Sequence, residues 1–432
     1  MYKRQGIDDA IGVATGGEHT CVLREGGAVF CFGLNIHGEL GNGQMDLYTS
    51  GQVKVAGIDD AVSIFASIDH SCVLHSNGEI SCWGRNWKGF DGDTATGDAP
   101  PVPIKIDGID DAIYLATGDL LSCAILESGR ITCWGGIVTN DFIENEDGQI
   151  SPIPTIPPIP QWLSPLDLES FKKLTVGGNH LCILDHNNII SCVGVNLFGQ
   201  LGNGEFGGTI SFELASVSNI DDAIDISLGF QHTCALHESG EISCWGRNHF
   251  GQLGTGEAQV GSHSAVPQRV IGITDAIAVA ASTTHITCAL HENGEVSCWG
   301  QNNFGELGAN ADPSTDHSAV PVKIEGISNA IAITAGNFHV CALHESGEVS
   351  CWGAGFFGQL GADEEVTDGF STTPVKVAGI SDATAISASS NHNCALHETG
   401  EITCWGIDIF GQLGSGTAVE NEKSTAPVEV IF

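Results

Sequence analysis

Sixteen cysteines, arranged as eight pairs with nine residues between the two members of each pair, constrain the fold of this 432-residue chain more than any other feature. The pairs are Cys21 with Cys31, Cys72 with Cys82, Cys123 with Cys133, Cys182 with Cys192, Cys234 with Cys244, Cys288 with Cys298, Cys341 with Cys351, and Cys394 with Cys404. Successive pairs lie 51 to 59 residues apart, and no cysteine is left over. The spacing therefore predicts a repeat protein of eight units of about 54 residues.

Each complete unit has the same internal order, for which residues 320–361 serve as the template. The unit reads VPVKIEG, then ISNAIAITAG, then HVCALHESGEVSCWG, then a loop that ends in FFGQLG. Its apolar runs are short, rich in β-branched residues and bounded by Gly, Ser, Asn and Asp, which indicates strands rather than helices. Four short strands per unit predict an all-β fold in which each unit is one blade of a closed β-propeller.

The cysteine spacing fits a cross-strand disulfide in every unit. If residues 238–240 form a three-residue hairpin loop, with Gly240 in the left-handed conformation, counting outward pairs Cys234 with Cys244. At a non-hydrogen-bonded position of such a hairpin the two Cα atoms lie about 4.5 Å apart, a distance that a disulfide spans. Eight disulfides would place the protein in an oxidising location: secreted, periplasmic or at the cell surface.

Three other interpretations of the cysteines remain open at this point. A zinc site normally draws on closely spaced pairs such as C-x2-C, which this chain lacks, so we predict no metal and no cofactor. Catalytic redox pairs usually have the C-x-x-C spacing and would not be needed eight times. The cysteines could also be unpaired small core residues.

The loops that follow the cysteine hairpins resemble a known family. NLFGQLGNG (196–204), NHFGQLGTG (248–256) and DIFGQLGSG (408–416), with the upstream H-x-x-A-L-x-x-x-G-E pattern, resemble the regulator of chromosome condensation repeat. The resemblance covers almost the whole chain and implies a closed β-propeller, usually of seven blades, that serves mainly as a protein-binding platform. This chain departs from the family in its eight units and in the cysteine pair of every unit, which suggests a bacterial, exported branch.

The repeat also sets the expected domain boundaries. Residues 6–432 are predicted to form a single propeller, with residues 135–171 as a proline-rich insertion and residues 1–5, MYKRQ, as a non-native leader that does not fit the template. The first unit begins at GIDDAIGVATG, a second strand, and the last ends at APVEVIF, a first strand. We therefore expect the two ends to complete one shared blade, which favours eight blades over the seven usual in the family.

The net charge of the chain indicates which class of partner it can bind. The chain has 53 acidic and 15 basic residues, a formal net charge of −38. Binding to nucleic acid requires a basic surface that replaces the counterions of phosphate, so we predict no nucleic-acid partner. The acidity more simply maintains solubility, and the alternative is that it steers a basic partner. No stretch of 18 or more apolar residues occurs, so this chain is expected to contain no membrane span.

Most of the histidines and acid pairs recur from unit to unit, which favours a structural role over catalysis. Histidine stands two residues before the first cysteine at His19, His70, His180, His232, His339 and His392, and three residues after it at His75, His237, His291, His344 and His397. The acid pairs Asp8-Asp9, Asp59-Asp60, Asp110-Asp111 and Asp221-Asp222 suit turns between strands. The tryptophans of CWG are predicted to pack within the blades.

Function is expected where the repeat is interrupted. The third unit has Leu121 in place of its histidine and the insertion 135–171 in place of its F-G-Q-L-G loop. Phe142 and Trp162 in the insertion, and Trp87 after the second cysteine pair, are candidate anchors for a partner, because aromatic residues are enriched at binding hot spots. The alternative is that the insertion is an elaborated loop packed across the propeller.

These observations lead to one functional hypothesis and two alternatives. We expect a non-catalytic extracellular or cell-surface scaffold, a monomeric module or part of a larger protein, that binds a protein through variable loops on one face. The first alternative is an enzyme with its site in the central depression, for which His249, His263 and His317 are the histidines outside the repeat pattern. The second is guanine-nucleotide exchange, which rests on the family resemblance alone.

Overall fold

A computed structural model describes most of the eight predicted units. The described residues are 8–85, 101–118, 122–134, 142–144, 150–152, 161–162, 171–259, 261–282, 284–308, 311, 315–362, 369–416 and 423–431. They form strands, turns and loops, and none of the described segments is a helix that could cross a membrane.

Eight four-stranded antiparallel sheets follow one another along the chain as blades 1 to 8. Blades 1 and 2 contain β1 (Ala10–Thr15), β2 (His19–Arg24), β3 (Val29–Leu34), β4 (Tyr48–Lys54), β5 (Ala61–Ala66), β6 (His70–His75), β7 (Ile80–Gly84) and β8 (Ile104–Lys105). Blade 3 begins with β9 (Ala112–Thr117), β10 (Ser122–Leu126) and β11 (Ile131–Trp134). Within the insertion, β12 (Phe142–Glu144) and β13 (Ile150–Pro152) pair with each other, and β14 (Gln161–Trp162) adds the fourth strand of blade 3.

The remaining five blades repeat the same order without a further insertion of this kind. Blades 4 and 5 contain β15 (Phe171–Val176), β16 (His180–Asp185), β17 (Ile190–Asn196), β18 (Gly207–Ser216), β19 (Ala223–Leu228), β20 (His232–His237), β21 (Ile242–Arg247) and β22 (His263–Arg269). Blades 6 to 8 contain β23 (Ala276–Ala281), β24 (Ile286–His291), β25 (Val296–Gln301), β26 (His317–Lys323), β27 (Ala330–Ala335), β28 (His339–His344), β29 (Val349–Ala354), β30 (Phe370–Lys376), β31 (Ala383–Ala388), β32 (His392–His397), β33 (Ile402–Ile407) and β34 (Lys423–Glu429). The chain is thus an eight-bladed β-propeller, as the repeat count predicts.

The hairpin that carries each cysteine pair has the predicted register. Cys234 lies opposite Cys244, and the amide of His237 donates to the carbonyl of Glu241 over a distance of 2.9 Å. Gly240 has a φ of +77°, the left-handed conformation that the three-residue loop requires. The local geometry of the turn therefore sets which two residues face each other across the hairpin.

All eight predicted disulfides are present, and each joins Cα atoms that lie 4.1 Å apart. None of the described cysteines is free, so the alternative of unpaired core cysteines does not apply. The bonds join Cys21 to Cys31, Cys72 to Cys82, Cys123 to Cys133, Cys182 to Cys192, Cys234 to Cys244, Cys288 to Cys298, Cys341 to Cys351, and Cys394 to Cys404.

The prediction that the two chain ends complete one shared blade is wrong. β34 pairs with β33, and β1 pairs with β2, so blades 1 and 8 are each built from one continuous segment. The sequence period is the same wherever a unit is taken to begin. The strand that contains the P-V-K sequence is the fourth strand of the preceding blade and not the first strand of the next, because Val375 pairs with Cys351. The ring closes through contacts between blades 8 and 1, including a bond from the amide of Ala10 to the carbonyl of Gly400 (3.1 Å).

Strand order gives the ring two different faces. The turns between first and second strands and the loops between third and fourth strands lie on one face, which we call the loop face. The turns between second and third strands and the links between blades lie on the other, which we call the hairpin-turn face. The described ends of the segment between β11 and β14, and of the other loops between third and fourth strands, therefore lie on the loop face.

The core lies between neighbouring blades and depends on the F-G-Q-L-G loop. The indole of Trp245 in blade 5 is fully buried and donates to the backbone carbonyl of Gln200 in blade 4 at 2.9 Å. Gly202 has a φ of +70°, and a Cβ at this position would lie 2.6 Å from the Trp245 ring, so glycine is required on both counts. The same indole-to-carbonyl bond joins Trp83 to Glu39, Trp299 to Gln252, Trp352 to Glu306 and Trp405 to Gln359.

Candidate functional site

Histidines at the position two residues before the first cysteine form a belt of hydrogen bonds between blades. His180 Nε2 lies 2.7 Å from the hydroxyl of Thr233 in the next blade. That hydroxyl donates to the carbonyl of Gln200, so the imidazole must donate through Nε2–H. Equivalent bonds join His19 to Ser71, His70 to Ser122, His232 to Thr287, His339 to Asn393 and His392 to Thr20. The belt holds blades together, in line with the structural interpretation of these histidines.

Burial keeps these imidazoles neutral. Desolvation lowers the pKa of His180, His232 and His392 to about 3, and that of His19, His70 and His339 to about 4. At the two seams without a belt histidine, the residues at the corresponding positions are apolar. Ile286 occupies the histidine position of blade 6, and Val340 occupies the partner position of blade 7. In blades 3 and 4 the two positions are held by Leu121, which lies outside the described residues, and Leu181.

The histidines three residues after the first cysteine lie in Asp–His–Ser chains on the hairpin-turn face. His237 Nδ1 lies 2.5 Å from Asp222 Oδ1, and its Nε2 lies 2.8 Å from Ser243 Oγ. The side chains are hydrogen-bonded in the same sequence, Asp to His to Ser, as in the catalytic triad of a hydrolase. The same chain recurs at His75 and His291, with Thr403 as the hydroxyl at His397 and Asn329 in place of the carboxylate at His344.

Two observations favour a structural role for these chains. Ser243 is only 3% exposed, so its hydroxyl has little access to a substrate. Blade 7 keeps the geometry with a neutral amide, because the Nδ1 of His344 lies 2.7 Å from Asn329 Oδ1. In blades 2, 5, 6, 7 and 8 the chains tie the second strand to the link that precedes the blade. Asp60 and Asp222, from two of the acid pairs, lie in these links between strands, as predicted.

The central depression on the loop face has a volume of about 420 Å³. Thr15, Gly16, Ser67, Ser282 and Asn337 are among the residues that line it, and the described lining contains no carboxylate, histidine or cysteine. Across the described ranges, moreover, no group of three or more His, Cys, Asp and Glu side chains is placed to hold a metal ion. The described lining thus offers neutral side chains, and none of them is a general acid or base.

The loop face carries a series of aromatic contacts that the sequence does not reveal. In four of the F-G-Q-L-G or F-G-E-L-G loops, the phenylalanine packs against a ring or guanidinium group of the next blade. Phe198 lies 5.2 Å from the Arg247 guanidinium, Phe250 stacks on His285 at 5.4 Å, Phe304 packs on Phe338 (5.4 Å) and Phe356 (5.2 Å), and Phe410 meets Tyr48 at 6.3 Å. We call these residues, with the exposed Phe206 and Phe357, the aromatic arc. It extends over blades 4 to 8 and into blade 1.

Polar residues repeated in the loops fix the arc from beneath. Gln252 Oε1 accepts from the amide of Phe250 at 2.9 Å, and Asn248 Oδ1 accepts from the amide of Leu253 at 3.0 Å. Gln252 also donates through Nε2 to His285 Nδ1 at 3.2 Å. Both the aromatic ring and its partner in the next blade are therefore held by one buried amide side chain.

The arc is most elaborate at blades 5 and 6. His285 has a φ of +72°, a conformation that costs free energy in a residue with a side chain and that often marks a functional position. Burial lowers the pKa of His285 to about 3. His249 packs on Phe250 at 4.6 Å, and desolvation followed by the nearby charge of Arg247 lowers its pKa. This strained, stacked group is the best-built candidate site of the described residues.

The unpatterned histidines of the sequence lie in this same region but do not converge on one point. His263 packs edge-on against Phe206 at 4.7 Å, and His317 pairs with Asp316 at 2.7 Å between Nδ1 and Oδ1. His317 contributes to lowering the pKa of His249, so these two rings are near each other. His249 and His263 pack on aromatic side chains and His317 contacts a carboxylate, an arrangement that fits a binding surface better than a catalytic one.

The three aromatic residues predicted to anchor a partner lie partly or wholly outside the described residues. Phe142 lies on β12 and Trp162 on β14, where Trp162 pairs with Thr132 in the backbone ladder; their side chains are outside the described set. Trp87 lies outside the described residues altogether. These three remain predictions. The aromatic arc cannot be recognised from the sequence, because its phenylalanines recur in the repeat and so indicate a structural role. Arg247, one of few basic residues, is the residue of the arc that the sequence could have marked as unusual.

One loop residue gives a testable pH effect. Glu306 replaces the loop glutamine in blade 6, is fully buried, and its Oε2 accepts from the amide of Phe304 at 2.7 Å. Desolvation raises its pKa from 4.5 to about 7. The folded state therefore binds an extra proton between these values, and stability falls as pH rises through that range.

We expect Glu306→Gln to increase the free energy of unfolding at pH 8 by ~3 kcal/mol and to change it little below pH 4.5. The amide keeps the bond to Phe304 without a buried charge. Chemical denaturation at both pH values measures this difference, with the exposed Glu257→Gln as the matched control. A variant less stable than the wild type at pH 8 would contradict the argument.

Comparisons with known proteins agree with this architecture. The model of the regulator of chromosome condensation (RCC1) repeat matches residues 10–39, 61–89, 223–252, 276–306, 330–359 and 383–412, and a second model of that repeat matches 239–289, 293–343 and 346–396. The ultraviolet-B receptor UVR8 of Arabidopsis thaliana is 27% identical over 83% of this chain and 79% of its own length. The mitochondrial RCC1 domain-containing protein RUG3 of the same plant is 31% identical over 62% of this chain and 61% of its own length.

Two solved structures share the fold. Prp20p from Saccharomyces cerevisiae, studied for its binding to Gsp1p and histones, has a TM-score of 0.63 at 19% identity, over 85% of this chain and 91% of that one. Human WBSCR16 has a TM-score of 0.58 at 18% identity, over 92% of this chain and 88% of that one. The match to the human ubiquitin-protein ligase HERC2 covers 62% of this chain but 6% of the ligase.

Proposed function

Because this chain belongs to the regulator of chromosome condensation (RCC1) repeat family, we propose that it is a non-catalytic scaffold that binds a protein partner through its loop face. The observation that carries the proposal is the aromatic arc. Aromatic side chains supply large contact areas at little cost in conformational entropy, and they dominate binding hot spots. Phe206 is 54% exposed, Phe356 43% and Phe357 39%, so the outer members of the arc are accessible to a partner.

The polar surroundings of the arc favour a protein over a nucleic acid. The face offers stacked rings and histidines, and Arg247, its basic side chain within the arc, already has a partner in the chain. Its guanidinium donates to Gln231 Oε1 at 2.6 Å while lying over Phe198. A net charge of −38 would repel a phosphate backbone.

A binding role also explains why the Asp–His–Ser chains and the central depression lack the features of an active site. A hydrolase needs an accessible nucleophile and preorganised donors for the oxyanion. Ser243 is buried, and the described lining of the depression consists of neutral residues, including one isoleucine and one phenylalanine. We therefore propose that the chains are structural and that the protein is not an enzyme.

We further propose that the protein acts outside the reducing cytoplasm. Eight disulfides, with Cys234 and Cys244 fully buried, support folding in an oxidising compartment. Secretion, the periplasm and the cell surface all meet this requirement. Export is tested by the redox state of the cysteines and by the location of the protein in the cells that make it naturally.

Substitution of the arc should abolish partner capture without affecting the fold. We expect Phe206→Ala, Phe356→Ala and Phe357→Ala, combined, to weaken binding by at least about 30-fold, since one hot-spot aromatic contributes about 2 kcal/mol or more. Cross-linking and affinity capture from the native cells, followed by titration of the captured protein, measure the loss. Val320→Ala on β26, a residue 41% exposed outside the arc, is the matched control. Equal capture by the triple variant and the wild type would reject the loop face as the site.

A further inference from the structure

The hairpin-turn face carries a second repeated surface that the loop face does not explain. The second residue of the first strand is apolar, β-branched and exposed in six blades, at Ile11 (54%), Val62 (53%), Ile113 (44%), Ile224 (36%), Ile277 (49%) and Ile331 (51%). Lys172 and Thr384 occupy this position in blades 4 and 8. Single exposed apolar residues are ordinary, but the same position repeated around a ring makes a patterned surface.

Strand propensity does not account for these residues, because each one is the extra residue of a β-bulge. Ala276 pairs with His291 and Ala278 pairs with Leu290, which leaves Ile277 without a partner in the ladder. The same shift occurs between Ala330 and Ala332 and between Ala10 and Gly12. Bulges redirect side chains at functional edges, and here the bulge residues of six blades are apolar and exposed to solvent.

Glutamates flank the apolar positions. The hairpin turns begin with an exposed glutamate in six blades, at Glu25, Glu127, Glu238, Glu292, Glu345 and Glu398. The amide of Glu345 donates to the carbonyl of Asn329 at 3.0 Å, two residues before Ile331. On the other side, the amide of Ala330 donates to Gly294 in the turn that contains Glu292. The backbone beside Ile331 is thus bonded to the turns of two adjacent blades, and each of these turns contains an exposed glutamate.

The basic residues of this face are largely neutralised within the chain. Lys323 pairs with Glu295 and Lys376 pairs with Glu348. Among the described residues, no basic side chain forms an ion pair with Glu292, Glu345 or Glu398. The face therefore presents exposed apolar groups beside glutamates that have no ion pair among the described residues, and Lys172, which bonds to the Asn188 side chain, is an exposed basic residue of this face. A second copy of the chain, with the same excess of acidic residues, would be repelled.

We propose that this surface, which we call the hairpin-turn rim, docks a basic protein segment that carries apolar side chains. Its lysines or arginines would face the turn glutamates, while its apolar side chains would cover the bulge isoleucines. Charge complementarity requires the partner to be positively charged. The exposed isoleucines would select a partner with apolar side chains over a cation attracted by net charge alone. The rim and the aromatic arc lie on opposite faces and can be occupied at the same time.

Two synthetic peptides of equal length and charge test the rim: one alternates lysine with leucine, and the other alternates lysine with serine. We expect the full-length protein to bind the leucine peptide about tenfold more tightly by titration calorimetry at moderate salt, because only leucine covers the isoleucines. Ile277→Ser combined with Ile331→Ser should remove this preference, and Glu292→Gln combined with Glu345→Gln should weaken both peptides.

Phe206→Ser on the loop face is the matched control and should leave the preference intact, since Phe206 is equally exposed but on the opposite face. Equal affinity of the wild type for the two peptides would overturn the proposal and leave only attraction by net charge. A preference that survives in the isoleucine variant, or disappears with Phe206→Ser, would also overturn it. Circular dichroism of each variant establishes that the fold is retained.

Discussion

Reduction of the disulfides in denaturant is expected to abolish refolding for as long as reductant remains. Each bridge closes a loop of about ten residues and contributes somewhat under 3 kcal/mol on the chain-entropy model. Eight such contributions exceed the 5–15 kcal/mol that separates folded from unfolded states in typical domains. The reduced chain should therefore remain unfolded on dilution from denaturant, whereas the oxidised chain refolds.

Intact mass under denaturing conditions provides the first measurement. Sixteen alkyl groups should be added only after reduction, because the structure pairs every cysteine, from Cys21 with Cys31 to Cys394 with Cys404. Removal of one bridge by Cys288→Ala with Cys298→Ala should lower the free energy of unfolding by ~2–3 kcal/mol and leave the other seven bridges in place. Alkylation of the wild type without reduction would contradict both the disulfides and the proposed export.

Acid should destabilise the protein at pH values above those at which most carboxyl groups in proteins titrate. The unfolded histidines protonate near pH 6.5, whereas burial lowers the pKa of the six belt imidazoles to about 3 or 4. Below pH 6.5 the unfolded state therefore binds more protons, so stability is complete above that pH and falls as pH decreases towards the folded pKa values. Each histidine contributes a loss of ~1.4 kcal/mol per pH unit in this range.

The slope of stability against pH measures this effect. Glu306 and Asp408, whose pKa burial raises to about 7 and about 6, oppose this effect, as do Glu18 and Glu39, whose pKa burial also raises. His285, whose pKa burial lowers to about 3, adds to the six belt histidines, so the histidines outnumber these carboxyl groups. His232→Asn, which keeps a donor for Thr287, should reduce the slope by about one proton between pH 6 and 4. The exposed His186→Gln is the control and should leave the slope unchanged. Constant stability between pH 7 and 5 would refute the role assigned to the belt.

The sequence predicted the parts of the fold that depend on local geometry. The register of Cys234 with Cys244 followed from a three-residue turn closed by a glycine, and eight cysteine pairs gave eight blades. The position of the P-V-K strand did not follow, because a repeat has no intrinsic starting point and only the pairing of Val375 with Cys351 decides it. Periodicity predicts which residues are equivalent but not which neighbour each one contacts.

The candidate site was less accessible for a related reason. Phe250 and Phe304 recur in the repeat, so their pattern indicates scaffold even though their rings also form the surface of the loop face. His285 gave no signal in the sequence, because its left-handed backbone and its stacking on Phe250 depend on the adjacent blade. The bulge isoleucines were likewise part of a strand pattern, and only their exposure distinguishes them from core residues.

The belt of histidines has a consequence for how blade number can change by descent. Where a blade has a belt histidine, the next blade has Ser, Thr or Asn at the position that faces it. Where a blade has Ile286 or Leu121 instead, the next blade has Val340 or Leu181 at that position. A deletion of blade 5 would bring His180 opposite Thr287 and preserve the match. A deletion of blade 4 would bring Leu121 opposite Thr233 and bury a hydroxyl beside an apolar residue. Gain or loss of single blades should therefore be tolerated at some seams of the ring and eliminated by selection at others.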